Sequence, residues 1–311
     1  MSFVSNGLFG NASALSPTPS LSLSTVSFSS LGNLSALRDK IKSSKDLKKH
    51  QKQIKSVEKE ITIFHAKAVN EILKKTKVNV DFVGFHGQTI FHNAKEKISK
   101  QLGDGELLSK LIKKTVVYDF RQNDLKNGGH GAPLTPIFHK LLKVKFKIKD
   151  VTFVNIGGIV NVTTILDDDK ISGTDIGPGM CLIDKWVREN SKENYDENGI
   201  VAKSGKVNKI ALNQLLENFR TKEKISRTGV IQSFDTKYFD FSFVRDLSFE
   251  DGAATLTEFT AQIIISALKV TERNKEKIIL CGGGRKNNFL FEKLKKEISH
   301  IELIDEYGIN G

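Results

Sequence analysis

Hydrophobic and polar positions follow two different periods along this chain. Between residues 55 and 75, apolar side chains such as Val57, Ile61 and Phe64 recur every three to four positions, which predicts an amphipathic helix. Two short apolar runs follow at residues 80–85 and 115–120, and each predicts a strand that ends in polar residues. Helical and strand patterns therefore alternate, which indicates an α/β fold, where ligands usually bind at the carboxyl ends of strands.

The second half of the chain continues this alternation. Two β-branched runs, at residues 151–156 and 159–165, are joined by Gly157 and Gly158, which predicts a tight hairpin. The glycine-rich residues 173–179 are predicted to form a turn that opens a helix. The remaining predicted helices cover residues 180–190, 208–219, 251–270 and 289–298, and the remaining strands cover residues 277–281 and 301–304.

The composition of the chain argues against a membrane partner, a nucleic-acid partner and a metal site. The chain of 311 residues is 39% hydrophobic and 27% charged, and it has no apolar run long enough to span a bilayer, so we expect no membrane partner. Its net charge of +12 comes from lysines spread along the helices without a base-stacking motif, so we expect no nucleic-acid partner either. Cys181 and Cys281 have no metal-ligand spacing, which predicts no metal site and suits a reducing compartment.

A single carboxylate, Asp175, lies in the glycine-rich stretch before the predicted helix over residues 180–190. Glycines allow a ligand to approach the backbone closely, so Asp175 is placed to act as a base beside an anionic substrate. The alternative is that Asp175 only caps the following helix.

Two predicted strand ends carry further candidate residues. Asp119 and Arg121 follow the strand over residues 115–120, and strand alternation places them on the same side, where they could hold the hydroxyls and carboxylate of a substrate. A local salt bridge is the alternative. His86 and Gln88 follow the earlier strand, and His86 could equally be a core histidine.

Two glycine turns are candidates for binding phosphates. Gly157 and Gly158, between Asn155 and Asn161, could direct backbone N–H groups at a phosphate or simply close a hairpin. Three glycines separate a buried strand from a helix, an arrangement that leaves room for a nucleotide. They are Gly282, Gly283 and Gly284.

Taken in order, these pieces resemble the anhydro-N-acetylmuramic acid kinase family, of the actin/sugar-kinase/Hsp70 superfamily. The motifs that carry the resemblance are GFHGQT, TVVYDFRQND, GGHGAPLTPIFH, VNIGGIVNVT, GTDIGPG, EDGAATLTEFTA, CGGGRKN and DEYGI. They cover residues 84 to 309 in the family's order. The set is specific, although each motif alone is weak.

The resemblance implies a two-lobed actin-like ATPase (ribonuclease H-like) fold with a cleft between the lobes. Residues 37–132 would be the sugar-side first lobe, and residues 133–311 the second lobe, with the catalytic Asp and the nucleotide turns. The implied reaction opens the 1,6-anhydro ring of anhydro-N-acetylmuramic acid by hydrolysis and phosphorylates O6, with ATP and Mg²⁺, during cytoplasmic peptidoglycan recycling. A homodimer is a further expectation.

The resemblance also assigns roles to individual residues. Asp175 would be the general base. The residues that would line the sugar site are His86, Gln88, Asp119 and Arg121. Those that would serve phosphates and nucleotide are Asn155, Gly157, Gly158, Gly177, Gly282, Gly283 and Gly284.

The two ends of the sequence depart from the family pattern. Family members begin with a GTSxDG-type phosphate loop, whereas residues 1–36 are Ser-rich, carry no charge and are expected to be atypical or disordered. Members also continue into a helix beyond the DEYGI stretch, near Gly311. We therefore expect a first lobe that is incomplete at both chain ends. The alternative function is a truncated, catalytically impaired relative that binds sugar or nucleotide.

Overall fold

The computed structural model describes residues 34, 36–38, 40–168, 170–227, 239–270 and 277–309. The predicted N-terminal segment, residues 1–36, lies almost entirely outside the described residues. The chain folds into two compact units, Met1–Ala132 and Pro133–Gly311. Helices and strands mix in both units, so the predicted α/β class is confirmed.

In the first unit, four helices and four strands have both ends within the described residues. The helices are α1 (Ser44–Lys49), α2 (Gln51–Thr76), α3 (Gly105–Ile112) and α4 (Gln122–Lys126). The strands are β1 (Phe82–Phe85), β2 (Gln88–Asn93), β3 (Ile98–Leu102) and β4 (Thr115–Tyr118). Strand β1 pairs with β4 in parallel, and β2 pairs with β3 as an antiparallel hairpin that the sequence analysis did not predict.

The amphipathic helix predicted over residues 55–75 is confirmed as part of α2. Its buried side chains, including Val57, Ile61 and Val69, pack against strands and against α3. Helix α3 begins where the side chain of Asp104 accepts a hydrogen bond from the backbone N–H of Leu107, at 2.9 Å. This cap satisfies one of the free N–H groups of the first turn.

The second unit is built on one five-stranded sheet in the order β7-β6-β5-β8-β9. Its strands are β5 (Val151–Ile156), β6 (Ile159–Ile165), β7 (Ile171–Pro178), β8 (Lys277–Cys281) and β9 (Ile301–Leu303). Strands β5, β6 and β7 are antiparallel, whereas β5, β8 and β9 run in parallel. The predicted Gly157-Gly158 hairpin between β5 and β6 is confirmed.

Helices cover both faces of this sheet. They are α5 (Thr135–Phe146), α6 (Cys181–Asn190), α7 (Ile200–Ser204), α8 (Lys209–Arg227), α9 (Phe249–Val270) and α10 (Asn288–Glu297). Alternation along β5 sends Val154 and Ile156 into a core with α9 and α10, and Val151 and Phe153 into a core with α5. A third core surrounds Trp186, where α6, α8 and α9 meet.

No helix in the described part of the chain is long and apolar enough to cross a membrane.

Candidate active site

Residues 173–179, predicted as a turn, form most of strand β7, so that prediction is wrong. The stretch is extended because it pairs along its length with β6. Asp175 therefore lies within a strand, and helix α6 has Met180 at its N-cap position. The alternative in which Asp175 caps this helix is also wrong.

Asp175 belongs to a row of polar residues that crosses three strands. It lies opposite Asn161 on β6, and Asn161 in turn lies opposite Asn155 on β5. Residues directly opposite each other on antiparallel strands point to the same face of the sheet. The sheet therefore brings the proposed base and two amide side chains together on one face.

A β-bulge lies next to Asp175. Asn161 pairs with Asp175 and Val160 pairs with Gly177, so Ile176 is the additional residue on β7. A bulge changes the twist of its strand and redirects the neighbouring side chains. Asp175 is half-buried at this position.

The polar row leads to the triple-glycine turn. Gly282 has a φ of +82°, and a Cβ there would lie 2.5 Å from Oδ1 of Asn155, so the amide packs directly against this backbone. A Cβ at Gly283, by contrast, would have no heavy atom within 4 Å. The turn thus rests on the polar row and has open space at its next residue.

The Gly157-Gly158 hairpin is fixed by the residues that precede α6. The backbone N–H of Met180 donates to the carbonyl oxygen of Gly157 at 2.8 Å, and that of Gly179 donates to Gly158 at 2.9 Å. The N–H of Gly157 donates to the carbonyl oxygen of Ile159 at 3.2 Å. These bonds hold the hairpin against the end of β7, close to the row that includes Asp175.

The first unit contains a pocket at the carboxyl ends of β1 and β4. Its volume is about 220 Å³. Its lining residues are Phe85, His86, Ser99, Lys100, Gln101, Gly103, Tyr118, Asp119 and Gln122. Two predicted sugar-site residues, His86 and Asp119, therefore share one pocket.

Arg121 is held beside this pocket by His86. Nδ1 of His86 lies 2.9 Å from the carbonyl oxygen of Gly87, which can only accept, so Nδ1 carries the proton. Nε2 of His86 then accepts a hydrogen bond from Nη2 of Arg121, at 2.9 Å. Burial, with a smaller contribution from Arg121, lowers the pKa of His86, which keeps the imidazole neutral in this role.

Further contacts of Arg121 restrict its orientation. Its Nη1 donates to the carbonyl oxygen of Gly131 at 2.6 Å, and its buried Nε has no hydrogen-bond partner among the described residues. Burial lowers the pKa of the guanidinium. The side chain is therefore a fixed cation whose Nε–H group remains available as a donor.

The strand argument that placed Asp119 and Arg121 on the same side is wrong. Strand β4 ends at Tyr118, Asp119 adopts a left-handed φ of +60°, and Arg121 precedes α4. Alternation does not apply beyond the end of the strand. Gln88 is exposed at the start of β2 and does not line the pocket.

Several residues of these sites were missed in the sequence analysis. Gln122, Ser99 and Tyr118 line the first-unit pocket. Asn161 was noted only as the end of a hairpin motif, although the register places it opposite Asp175. Its position six residues after Asn155, on the other arm of the predicted hairpin, was the available signal, but the bulge made the partner on β7 unpredictable.

Comparisons with known proteins identify relatives of this chain. The family model described as anhydro-N-acetylmuramic acid kinase matches residues 26–311. The anhydro-N-acetylmuramic acid kinase of Pelagibacter ubique is 50% identical over 90% of this chain and 76% of its own length. That of Rhizobium etli is 37% identical over 83% of this chain and 70% of its own length.

Solved structures show a weaker likeness. The activator of the 2-hydroxyisocaproyl-CoA dehydratase from Clostridium difficile, with bound ADPNP, matches with a TM-score of 0.38 and 16% identity, over 64% of this chain and 72% of that chain. The match to the family and the identity to its members are sufficient by themselves: the chain belongs to the anhydro-N-acetylmuramic acid kinase family.

Proposed function

We propose that this protein is an ATP-dependent kinase that opens the 1,6-anhydro ring of anhydro-N-acetylmuramic acid by hydrolysis and phosphorylates O6. The product is N-acetylmuramic acid 6-phosphate, an intermediate of peptidoglycan recycling. Family membership supports the reaction class. The observation that carries the residue assignment is the half-buried Asp175 in a polar row that ends at the triple-glycine turn.

Asp175 is proposed as the general base. Its carboxylate takes a proton from a water molecule, the water oxygen bonds to C1 of the sugar, and the C1–O6 bond breaks. O6 then bonds to the γ-phosphorus of ATP, ADP leaves, and the proton on Asp175 passes to solvent. One water molecule is consumed and one proton is released in each turnover.

Gly282, Gly283 and Gly284 are proposed to contact the nucleotide, together with Asn155, Gly157, Gly158 and Gly177. The open space at Gly283 fits this role, because backbone there can approach a ligand without a side chain between them. No group of three or more His, Cys, Asp or Glu side chains in the described residues could hold a metal ion. We therefore propose that Mg²⁺ enters with the phosphates, where it neutralises charge during phosphoryl transfer.

His86, Gln88, Asp119 and Arg121 are proposed to bind the sugar. The fixed cation of Arg121 and the carboxylate of Asp119 suit a substrate with a lactyl carboxylate and hydroxyls.

We also propose that the chain has the fold of an actin-like ATPase and that it forms a homodimer. We propose a cytoplasmic location as well, which the free thiols of Cys181 and Cys281 suit.

A coupled assay of ADP release tests the proposal. We expect release only when anhydro-N-acetylmuramic acid, ATP and Mg²⁺ are all present, and we expect Asp175→Asn to abolish it. Asp246→Asn, which changes an exposed carboxylate of the same unit, is the control and should keep full activity. ADP release that does not need the sugar would contradict the proposal. Sugar binding by calorimetry without any ADP release would instead support the catalytically impaired alternative.

A further inference from the structure

We infer that Asn161 is a second catalytic residue, whose side-chain oxygen binds the water molecule that Asp175 activates. This inference rests on the proposed function and deepens it. Oδ1 of Asn161 is buried and has no hydrogen-bond partner among the described residues. A buried amide oxygen without a partner is unusual in a folded protein, and a bound water or ligand is a common reason for one.

The register of the sheet places this oxygen beside the base. Asn161 and Asp175 are direct cross-strand partners, and the Cβ atoms of such partners lie about 4.5–5.5 Å apart. That separation allows both side chains to bind one small molecule. The bulge at Ile176 adjoins this pair, so the strand geometry is irregular at the point where two polar side chains converge.

Neighbouring positions on the same face of β6 distinguish Asn161 from a residue of the core. Thr163 and Ile165 point to the same face and are fully buried, and Ile165 packs with Leu142 and Phe153. Asn161 is only partly buried, and it continues this face beyond the apolar core toward Asp175. An apolar side chain would serve packing here, whereas an amide supplies an acceptor.

The chemistry of the water explains why an acceptor is needed. The attacking water has two O–H bonds. Asp175 takes the proton of one, and Oδ1 of Asn161 accepts a hydrogen bond from the other, which directs a lone pair of the water at C1 of the sugar. The amide is too weak a base to take a proton, so it orients the nucleophile and leaves the stoichiometry unchanged.

Asn161→Leu tests this role because leucine has a similar size but no acceptor. We expect kcat for the sugar-dependent reaction to fall about 10- to 100-fold, with KM for ATP changed less than twofold. Thr163→Val is the matched control, since it lies on the same face of the same strand, and it should retain wild-type kcat. The fluorescence of the single tryptophan, Trp186, verifies that each variant is folded.

Competition with methanol separates orientation of water from structural damage. Methanol has one O–H bond, which it gives to Asp175, so it does not need Asn161. Attack by methanol gives the 1-O-methyl glycoside 6-phosphate, and attack by water gives the free sugar phosphate. We expect the ratio of methyl glycoside to free sugar to rise at least fivefold in Asn161→Leu. A fall in kcat with an unchanged ratio, or an unchanged kcat, would overturn the inference.

Asn161→Asp provides a second measurement if the leucine variant does not fold. It keeps an oxygen acceptor, so the methanol ratio should stay at the wild-type value. Because two carboxylates would then share one site, the acidic limb of the kcat–pH profile should move upward by about one pH unit or more. A limb that does not move would show that the two side chains do not meet and would overturn the inference.

These results are distinguishable from failure of the proposed function. If the wild-type protein shows no sugar-dependent ADP release, the proposed function itself fails. If the wild-type protein is active and Asp175→Asn is inactive, but Asn161→Leu behaves like the wild type, only the role of Asn161 fails.

Discussion

The guanidinium of Arg285 forms a two-point ion pair with the carboxylate of Asp305. Nε lies 2.5 Å from Oδ2, and Nη2 lies 2.8 Å from Oδ1. Nη1 donates to the carbonyl oxygen of Gly282 at 2.9 Å. The Arg285 side chain is 1% exposed, and its hydrogen bonds lower the pKa of Asp305. One buried side chain thus connects the residues after β9 to the triple-glycine turn.

Arg285→Lys should destabilise the second unit by about 2–3 kcal/mol, because a lysine ammonium cannot bind both carboxylate oxygens and the Gly282 carbonyl at once. Urea unfolding followed by Trp186 fluorescence measures this change. Asp305→Asn is the milder comparison, since this side chain is 46% exposed and the amide keeps one acceptor. A loss below about 0.5 kcal/mol in Arg285→Lys would show that the pair is not structurally important.

His139 should make the second unit sensitive to acid. Its ring is buried and stacks on Phe153, with centroids 4.4 Å apart, and burial lowers its pKa from 6.5 to about 4. Between these values the unfolded chain binds the proton more readily than the native state does. The contribution of the neutral His139 ring to the free energy of unfolding is therefore complete above pH 6.5 and is lost as pH falls toward 4. We expect a loss of about 2 kcal/mol between pH 7 and pH 5 from this residue.

Replacing His139 with phenylalanine checks this expectation. His139→Phe keeps an aromatic ring against Phe153 but cannot titrate, so urea unfolding should lose much less stability over the same pH range. His300→Gln, at an exposed histidine of the same unit, is the control for the loss of an imidazole. Equal acid sensitivity in the wild type and His139→Phe would contradict the prediction.

Asp184 should have the opposite effect to His139, because it should lower the free energy of unfolding as pH rises. Burial raises its pKa from 3.8 to about 6; Arg188 opposes this shift and Asp196 adds to it. The native state binds the proton first, so ionising Asp184 costs stability, and the cost grows as pH rises from 4 to above 6. Asp184→Asn should therefore raise the free energy of unfolding at pH 7.5 by about 1–3 kcal/mol.

The pH dependence of this gain is the decisive measurement. The difference between Asp184→Asn and the wild type should disappear near pH 4, where the native carboxyl is already protonated. Asp246→Asn, at an exposed position, should show no difference at either pH. A gain of the same size at both pH values would mean that desolvation of the charge is not its cause.

Gly283 allows nucleotide binding to be tested separately from stability. A Cβ at Gly283 meets no atom within 4 Å, so Gly283→Ala should change the free energy of unfolding by less than about 0.5 kcal/mol. If the turn binds the nucleotide, the methyl group should still raise KM for ATP about tenfold in the coupled assay. An unchanged KM would remove Gly283 from the nucleotide site.

Gly179→Ala is the contrasting variant. A Cβ there would clash with the carbonyl oxygen of Gly157, so the hairpin and the end of β7 would have to separate. We expect a loss of about 1–3 kcal/mol in urea unfolding. Comparing the two variants distinguishes a glycine that the fold requires from one that the ligand requires.

The sequence by itself determined the elements that depend on local pattern. The apolar period predicted α2, the two glycines between β-branched runs predicted the β5–β6 hairpin, and the ordered motifs identified the family. These features could be predicted because each depends on residues that are close together in the chain. Asp175 was singled out in the same way, as a carboxylate among glycines.

Only the tertiary structure decided how these elements meet. The stretch around Asp175 was predicted as a turn because it is rich in glycine, but its pairing with β6 makes it a strand. That pairing and its bulge placed Asn161 opposite Asp175, and packing joined Arg285 to Asp305 across 20 residues. Register and side-chain contact depend on residues distant in sequence, so no local period contains them.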